Sequence, residues 1–282
     1  MALGLTQDNR LLSLETPLGE DMLLIRSFTV TEQISGLFDM DLEMMAEVVN
    51  ASKISAEKLI GQKVSIRVAL SDDYSTSSHR YFHGIVSRFS QGGRDEHFVY
   101  YQAEVVPWLW LLTLTSDCRI FQDLTVPEIV TQIFDELKGS YPGLVEYRDA
   151  TTAGKYTKLD YCVQYRETDF NFISRLLEQE GICYFFEHEE DKHTLVLADA
   201  PSTHQLCPNQ SQARYQPEGG TGEWESTITS WEVKQELRSG KYSLRDFHFQ
   251  MPTKTLEVAE PTTINVGGNG KLELYDYPGE YA

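Results

Sequence analysis

The 282-residue chain is long enough for about two domains of the usual ~100–200 residues, and its 41% hydrophobic and 11% aromatic residues can fill a core. No stretch approaches the ~20 uncharged apolar residues of a membrane-spanning helix, and the first segment, broken by Asp8, Arg10, Glu15 and Glu20, is not a cleavable signal peptide. A formal net charge of -19, from 43 acidic and 24 basic residues, argues against a nucleic-acid partner, and Cys118, Cys162, Cys183 and Cys207, with no CxxC pair, argue against a disulfide framework or zinc knuckle and read as mostly buried thiols.

Residues 11–112 read as short strands. Segments 11–14, 22–30, 38–44, 63–70, 80–89 and 97–106 are rich in β-branched and aromatic side chains, with Gly, Asp and Ser between them. Val64, Ile66, Val68 and Leu70 alternate with Ser65, Arg67 and Ala69, which predicts one buried and one wet face. Only residues 55–60 suggest a helical turn, capped by Ser55 and closed by Gly61. The pattern predicts a closed or nearly closed antiparallel barrel, since open edges of this length invite pairing with other chains.

Thr125-Val126-Pro127-Glu128 is a capping box with proline in the first turn, and Val126, Ile129, Val130, Ile133, Phe134 and Leu137 follow at helical spacing, so a helix runs to Gly139. Residues 140–158, with Tyr141-Pro142-Gly143 and Thr151-Thr152-Ala153-Gly154, read as loop holding at most a short strand. Residues 160–188 predict a strand, a second helix, a stop at Gly181 and the aromatic strand Ile182-Cys183-Tyr184-Phe185-Phe186. Thr168 stands at the N-cap of that helix and Asp169 in its first turn, while Phe170, Ile173 and Leu177, beside Phe172 and Leu176, make its apolar face. Residues 188–192 read as a solvated turn and 193–198 as the returning strand. Two helices against a small sheet complete an α+β layer.

Pro201, Pro208, Pro217 and Gly219-Gly220-Thr221-Gly222 mark a linker. Strand text resumes over 228–233, turns at Arg238-Ser239-Gly240 and returns over 242–249, a predicted hairpin; 264–271 is a glycine-rich turn. The expected organisation is a first barrel over residues 1–116, an α+β domain with linker over 117–222, and the start of a second barrel over 223–282.

Chemistry-bearing motifs are sparse. There is no Gly-x-Ser-x-Gly elbow, and in the run Gly267-Gly268-Asn269-Gly270-Lys271 a phosphate loop is denied by Asn265 in place of the first glycine and Leu272 in place of the hydroxyl. His79 and His83 are four apart, but on strand-like text beside Gly84, where that spacing does not bring ligands together as it does in a helix. His188 and His193 flank an acidic turn of Glu187, Glu189, Glu190 and Asp191 that could hold a cation loosely; a solvated hairpin tip is the plainer reading. Cys162 and Cys183 are expected on neighbouring strands as core thiols. Arg166 and Glu167, beside the helix start, are expected in ion pairs or in contact with a neighbouring element. No catalytic, cofactor-binding or metal-ligating residue is assigned.

Several motifs together resemble the VgrG spike proteins of bacterial type VI secretion, whose fold phage tail hub proteins share. They are Arg80-Tyr81-Phe82-His83-Gly84-Ile85-Val86; Pro107-Trp108-Leu109-Trp110-Leu111-Leu112-Thr113 running into Cys118-Arg119-Ile120-Phe121-Gln122; Tyr165-Arg166-Glu167-Thr168-Asp169-Phe170 with Arg175-Leu176-Leu177-Glu178-Gln179-Glu180-Gly181-Ile182; Leu244-Arg245-Asp246-Phe247-His248-Phe249; and Leu272-Glu273-Leu274-Tyr275-Asp276-Tyr277-Pro278-Gly279-Glu280-Tyr281. The resemblance implies a mainly β protein with an α+β layer between tube-like barrels, structural and not enzymatic. It implies a homotrimer on the hexameric Hcp tube, with baseplate proteins and effectors or their adaptors as partners, assembled in the cytoplasm and ejected without a signal peptide. In the family the second barrel continues into an oligonucleotide/oligosaccharide-binding-type fold and a triple-stranded β-helix, so these residues are expected to be a fragment or a short member. The related hub or late-control protein of a contractile phage tail or tailocin is the alternative implied by the same fold.

Overall fold

Apolar and polar residues alternate along most of the first hundred positions, and this sorts their side chains onto the two faces of one sheet. In this computed structural model, which describes residues 4–70, 79–206, 211–217, 227–228 and 230–279, the sheet holds β1 (Leu12–Glu15), β2 (Leu24–Thr31), β3 (Asp39–Glu47), β4 (Lys63–Ala69), β5 (His79–Arg94) and β6 (Phe98–Val106). Its order is β1-β4-β5-β6-β3-β2, with every neighbouring pair antiparallel. On β3, Met40, Leu42 and Met44 are buried in the first core while Asp41 and Glu43 stay outside. The sheet curls until its edge strands β1 and β2 adjoin.

One side chain spans that seam. Gln7 donates from Nε2 to the Leu14 carbonyl at 3.0 Å, and its Oε1 accepts from Leu14 N–H at 2.9 Å and Ile25 N–H at 3.4 Å. Of the closed or nearly closed antiparallel barrel that the sequence predicts, the structure has the curled antiparallel sheet, with an amide in place of a strand ladder at its seam.

Two local expectations fail on β4 and near it. Leu70 lies beyond the strand and is 57% exposed, and the outward face is wet only in part: Lys63 is exposed and Arg67 half-buried, but Ser65 is only 7% exposed where the hairpin described below covers β5 beside it. Ser55 makes no side-chain cap to the 3-10 turn Ala56–Lys58. On β5, Gly84 is required by packing, since a Cβ there would sit 2.5 Å from Val105 Cγ1 and 3.0 Å from the Val106 carbonyl oxygen.

A second core follows. It is built by β7 (Ser116–Phe121), α1 (Val126–Ser140), β8 (Tyr147–Ala150), β9 (Cys162–Thr168), α2 (Asp169–Glu180), β10 (Cys183–His188) and β11 (His193–Ala198). Strands β7 and β9 form an antiparallel ribbon; β10 and β11 form a hairpin, with β8 parallel to β11 on its far side. Both helix starts are capped as the sequence predicts. Glu128 N–H reaches Thr125 Oγ1 at 3.4 Å while Thr125 N–H reaches Glu128 Oε2 at 2.8 Å, and Asn171 N–H donates to Thr168 Oγ1 at 3.1 Å. Gly181 ends α2 in the left-handed region with φ 68°. Phe172, Ile173, Leu176 and Leu177 of α2 meet Ile129, Val130, Ile133 and Phe134 of α1 around Trp108, whereas Phe170 is only partly buried.

Two networks of paired polar groups tie this layer together, although the Ser174 and Tyr184 hydroxyls are buried without a hydrogen-bond partner among the described residues. Asp169 accepts from Arg119, from Gln164 Nε2 at 2.8 Å and from the Thr115 hydroxyl, while Arg119 also reaches Glu136 Oε2 at 2.7 Å. The carboxylate thus does more than favour a helix dipole: it ties β7, β9 and α1 to the start of α2. Asp199 staples the loop after β8 by accepting from Thr152 N–H at 3.1 Å, Lys155 Nζ at 3.1 Å and the Tyr156 hydroxyl at 2.8 Å. Burial opposes its charge, but these donors hold the carboxyl well below the usual carboxylate range.

Residues 1–205 form one compact unit and 206–282 another. In the second, β12 (Arg214–Tyr215) pairs in parallel with β13 (Thr227–Ile228), and β14 (Lys241–Asp246) lies between β15 (Leu256–Pro261), antiparallel, and β16 (Glu273–Asp276), parallel. The predicted hairpin of 228–233 with 242–249 is not formed. Both edges of β14 are already taken, and residues 230–240 carry no strand. No helix among the described residues is long and apolar enough to cross a membrane.

Candidate functional site

The most concentrated polar chemistry lies where hairpin β10-β11 packs on β5. His188 and His193 are cross-strand partners in the hairpin, and His83 comes to them from β5. His193 is 1% and His83 2% exposed, with Phe38 packed on the rings of both His188 and His193 at centroid distances of 4.9 and 5.4 Å. The expectation of a solvated tip therefore holds for Glu189, Glu190 and Asp191, which are exposed, but not for the two histidines beside them. The hairpin's aromatic face carries them inward with Phe186.

The hydrogen bonds assign the protons. Trp108 N–H donates to His193 Nε2 at 2.9 Å, so a neutral His193 carries its proton on Nδ1. That Nδ1 lies 2.9 Å from His83 Nδ1, which must accept, leaving the proton of His83 on Nε2. His188 Nδ1 accepts from His83 N–H at 3.1 Å and its Nε2 donates to Glu32 Oε1 at 3.2 Å. Burial, Lys63 and the His188 ring push His83 down to about 4, and burial with the His83 and His188 rings pushes His193 well below the ordinary histidine value. The bond from His188 lowers Glu32 despite its partial burial. Both nitrogens of His193 are thus committed to the protein, and the cluster acts as a polar clasp between the two cores.

The other sequence candidates are dispersed. His79 lies on the same face of β5 as His83 but about 13 Å further along an extended strand, and contacts Tyr81 with ring centroids 6.2 Å apart. Cys162 and Cys183 are not on neighbouring strands: β9 pairs with β7, and Cys183 lies opposite Ala198, whose carbonyl its thiol meets at 3.2 Å. Cys162 is buried, Cys183 half-buried and Cys118 exposed, while Cys207 lies outside the described residues. Gly267 to Lys271 is a turn satisfied from within, Asn269 donating to the Ile264 carbonyl at 3.1 Å and accepting from Val266 N–H at 3.2 Å. Glu167 pairs with Arg175 Nη2 at 2.8 Å; Arg166 is the extra residue of a bulge in β9, with φ 54°, and lies over the Tyr165 ring at 5.1 Å. Among the described residues no three His, Cys, Asp or Glu side chains gather in a way that could hold a metal ion.

Sequence reading missed the clasp because its members come from positions 83, 188 and 193 on two different sheets. The available signal was one histidine beside apolar or aromatic residues at each place: His83 between Phe82 and Gly84-Ile85-Val86, His188 two residues after Phe186, and His193 two before Leu195-Val196-Leu197.

Comparison with known proteins follows this architecture. Residues 31–282 match the family described as phage tail baseplate hub. The type VI secretion system spike protein VgrG1b of Pseudomonas aeruginosa is 40% identical over 279 residues, which are 99% of this chain and 36% of that protein, so the chain spans about a third of such a relative. Among solved structures, the Escherichia coli c3393 protein, a component of the type VI secretion system with structural similarity to T4 tail proteins gp27 and gp5, aligns with a TM-score of 0.57 at 21% identity, covering 68% of this chain and 50% of that one. The 43 kDa tail protein of prophage MuSo2 from Shewanella oneidensis aligns with a TM-score of 0.53 at 15% identity, covering 94% and 71%. A curled antiparallel sheet beside an α+β layer is thus shared with tail and spike proteins of known structure, and this chain belongs to the phage tail baseplate hub family, in the form that the VgrG spike proteins carry.

Proposed function

We propose that the chain is the hub region of a trimeric type VI secretion spike, which adapts the hexameric Hcp tube to a threefold spike and helps deliver effectors into target cells. The supporting observation is the 40% identity with VgrG1b, which runs through 99% of the chain and so includes both compact units. In this reading residues 1–116 are a first tube-like barrel, 117–222 an α+β domain with linker, and 223–282 the start of a second barrel. Three chains would then offer six barrels to a sixfold tube. These residues work through surfaces and carry no catalytic, cofactor or metal role. The protein assembles in the bacterial cytoplasm with baseplate proteins and effectors or their adaptors, and leaves through the machine. A hub of a contractile phage tail or tailocin is the second reading, favoured by the prophage tail protein that aligns along 94% of the chain.

Multi-angle light scattering tests the trimer. The protein extended through its spike region is expected at three times the chain mass, with residues 1–282 alone trimerising weakly or not at all. A monomeric extended protein contradicts the spike reading.

A further inference from the structure

The outer face of β1, β4 and β5 carries two rungs of polar side chains. Glu15, Ser65 and His83 stand in one, and Ser13, Arg67 and Tyr81 in the next. Above them lie a cavity of about 410 Å³ and another of about 330 Å³, which share Glu15, Ser65 and Glu190 and so form one continuous groove. Its walls are the N-terminal segment around Asp8, the turn before β2 with Glu20 and Asp21, and the hairpin tip with Glu190 and Asp191. Six carboxylates, Asp8, Glu15, Glu20, Asp21, Glu190 and Asp191, thus face two cations, Lys63 and Arg67.

Acidic side chains alone would mean little on a chain of this net charge. The floor supplies the second observation. Ser65 is 7% exposed and its Oγ has no hydrogen-bond partner among the described residues, which is unusual for a buried hydroxyl. His83, 2% exposed, also lines the groove, and the proton order of the clasp leaves its Nε2–H as a donor with no partner among the described residues. Ser65 and His83 are cross-strand neighbours with no bond between them, so they do not make a nucleophile and base. They leave a donor and a hydroxyl beneath an acidic rim. Arg67 is held by its bond to Ser13 Oγ at 2.9 Å, and among the described residues Lys63 reaches the Asp191 carbonyl, at 3.4 Å.

We propose that this groove binds an extended segment of a partner protein carrying lysine or arginine, with a backbone carbonyl accepting from His83 Nε2–H beside Ser65 and the cationic side chain lying among Glu15, Glu20 and Glu190. A bare cation would satisfy the rim and leave the floor donor idle; a polypeptide meets both. The inference goes beyond the hub reading and does not depend on it, since a segment can dock here whether or not the chain caps a tube.

Hexalysine is the probe, titrated calorimetrically into the whole chain at physiological salt. Binding is expected, and reversing the groove charges with Glu15→Lys and Glu190→Lys together should weaken it at least about tenfold, whereas Asp41→Lys with Glu43→Lys, the same charge change on the outer face of β3, should weaken it less than about threefold. Spermine, cationic but without carbonyls, should bind at least about tenfold more weakly than hexalysine. No binding of hexalysine, equal losses in the two charge-reversed proteins, or equal binding of spermine each overturns the proposal. Should the groove variant fail to fold, the ring nitrogen resonances of His83 in the unaltered chain give the reading instead: they shift when hexalysine is added, and constancy overturns the assignment.

Discussion

Gln7 shows how much a single amide can hold. With its primary amide bonded to Leu14 on one edge strand and Ile25 on the other, it satisfies groups that a curled but unlaced sheet would leave bare. Gln7→Leu keeps the volume and removes the bonds, and since each buried polar group left unpaired costs roughly 1–3 kcal/mol, a loss of about 2–4 kcal/mol is expected in urea unfolding. An unchanged midpoint would show that the seam does not need the amide. The histidine clasp makes a second prediction. His83 and His193 are held neutral below the unfolded histidine value near 6.5, so the unfolded chain binds more protons and stability falls as pH drops below about 6.5. The loss continues toward the folded value of about 4 for His83, at up to roughly 1.4 kcal/mol per pH unit for each histidine. The charged and titratable groups facing them are Lys63, Asp191, His188 and, through His188, Glu32. Carboxylates such as Asp95, held down to about 2 by the Tyr100 hydroxyl and the Phe98 and His97 N–H groups, act only at lower pH. Denaturant unfolding between pH 4.5 and 7.5 reads the slope, and a flat profile above pH 4.5 contradicts a neutral clasp.

At the scale of elements, the parts legible in sequence were those fixed by local chemistry. Thr125 with Glu128, Thr168 and Gly181 stop and start their helices through bonds spanning three or four residues, and each is found as predicted. Leu177, 3% exposed in the second core, belongs to the same group. Leu177→Ala should cost about 2–5 kcal/mol through the cavity it leaves, lowering the thermal midpoint, and a variant as stable as the parent would contradict its place in the core. What local chemistry does not encode is partner choice. The segment around 228–233 has the alternation of a strand, yet β14 takes β15 and β16 instead, because pairing depends on which chain is free to reach its edges. The outward face of β4 failed for the same reason: Ser65 looks wet until a hairpin more than a hundred residues away covers its neighbour. The clasp residues shared that difficulty, each looking ordinary in its own strand.

At the scale of the whole molecule, the two cores within residues 1–205 belong to one compact unit and meet through aromatic and histidine side chains, Phe38 and Phe186 with ring centroids 5.0 Å apart among them. The family was legible because its motifs coincide with structural necessities: Gly84 under Val105, Trp108 donating into the clasp, and Asp169 at the centre of the buried ion network. Function was less legible, since assembly surfaces are ordinary side chains whose meaning lies in a partner. The most direct test of the hub account is electron microscopy of the protein, extended through its spike region, mixed with Hcp rings. The account predicts stacked tubes capped at one end by a threefold particle; uncapped tubes with the protein left free in solution would contradict it.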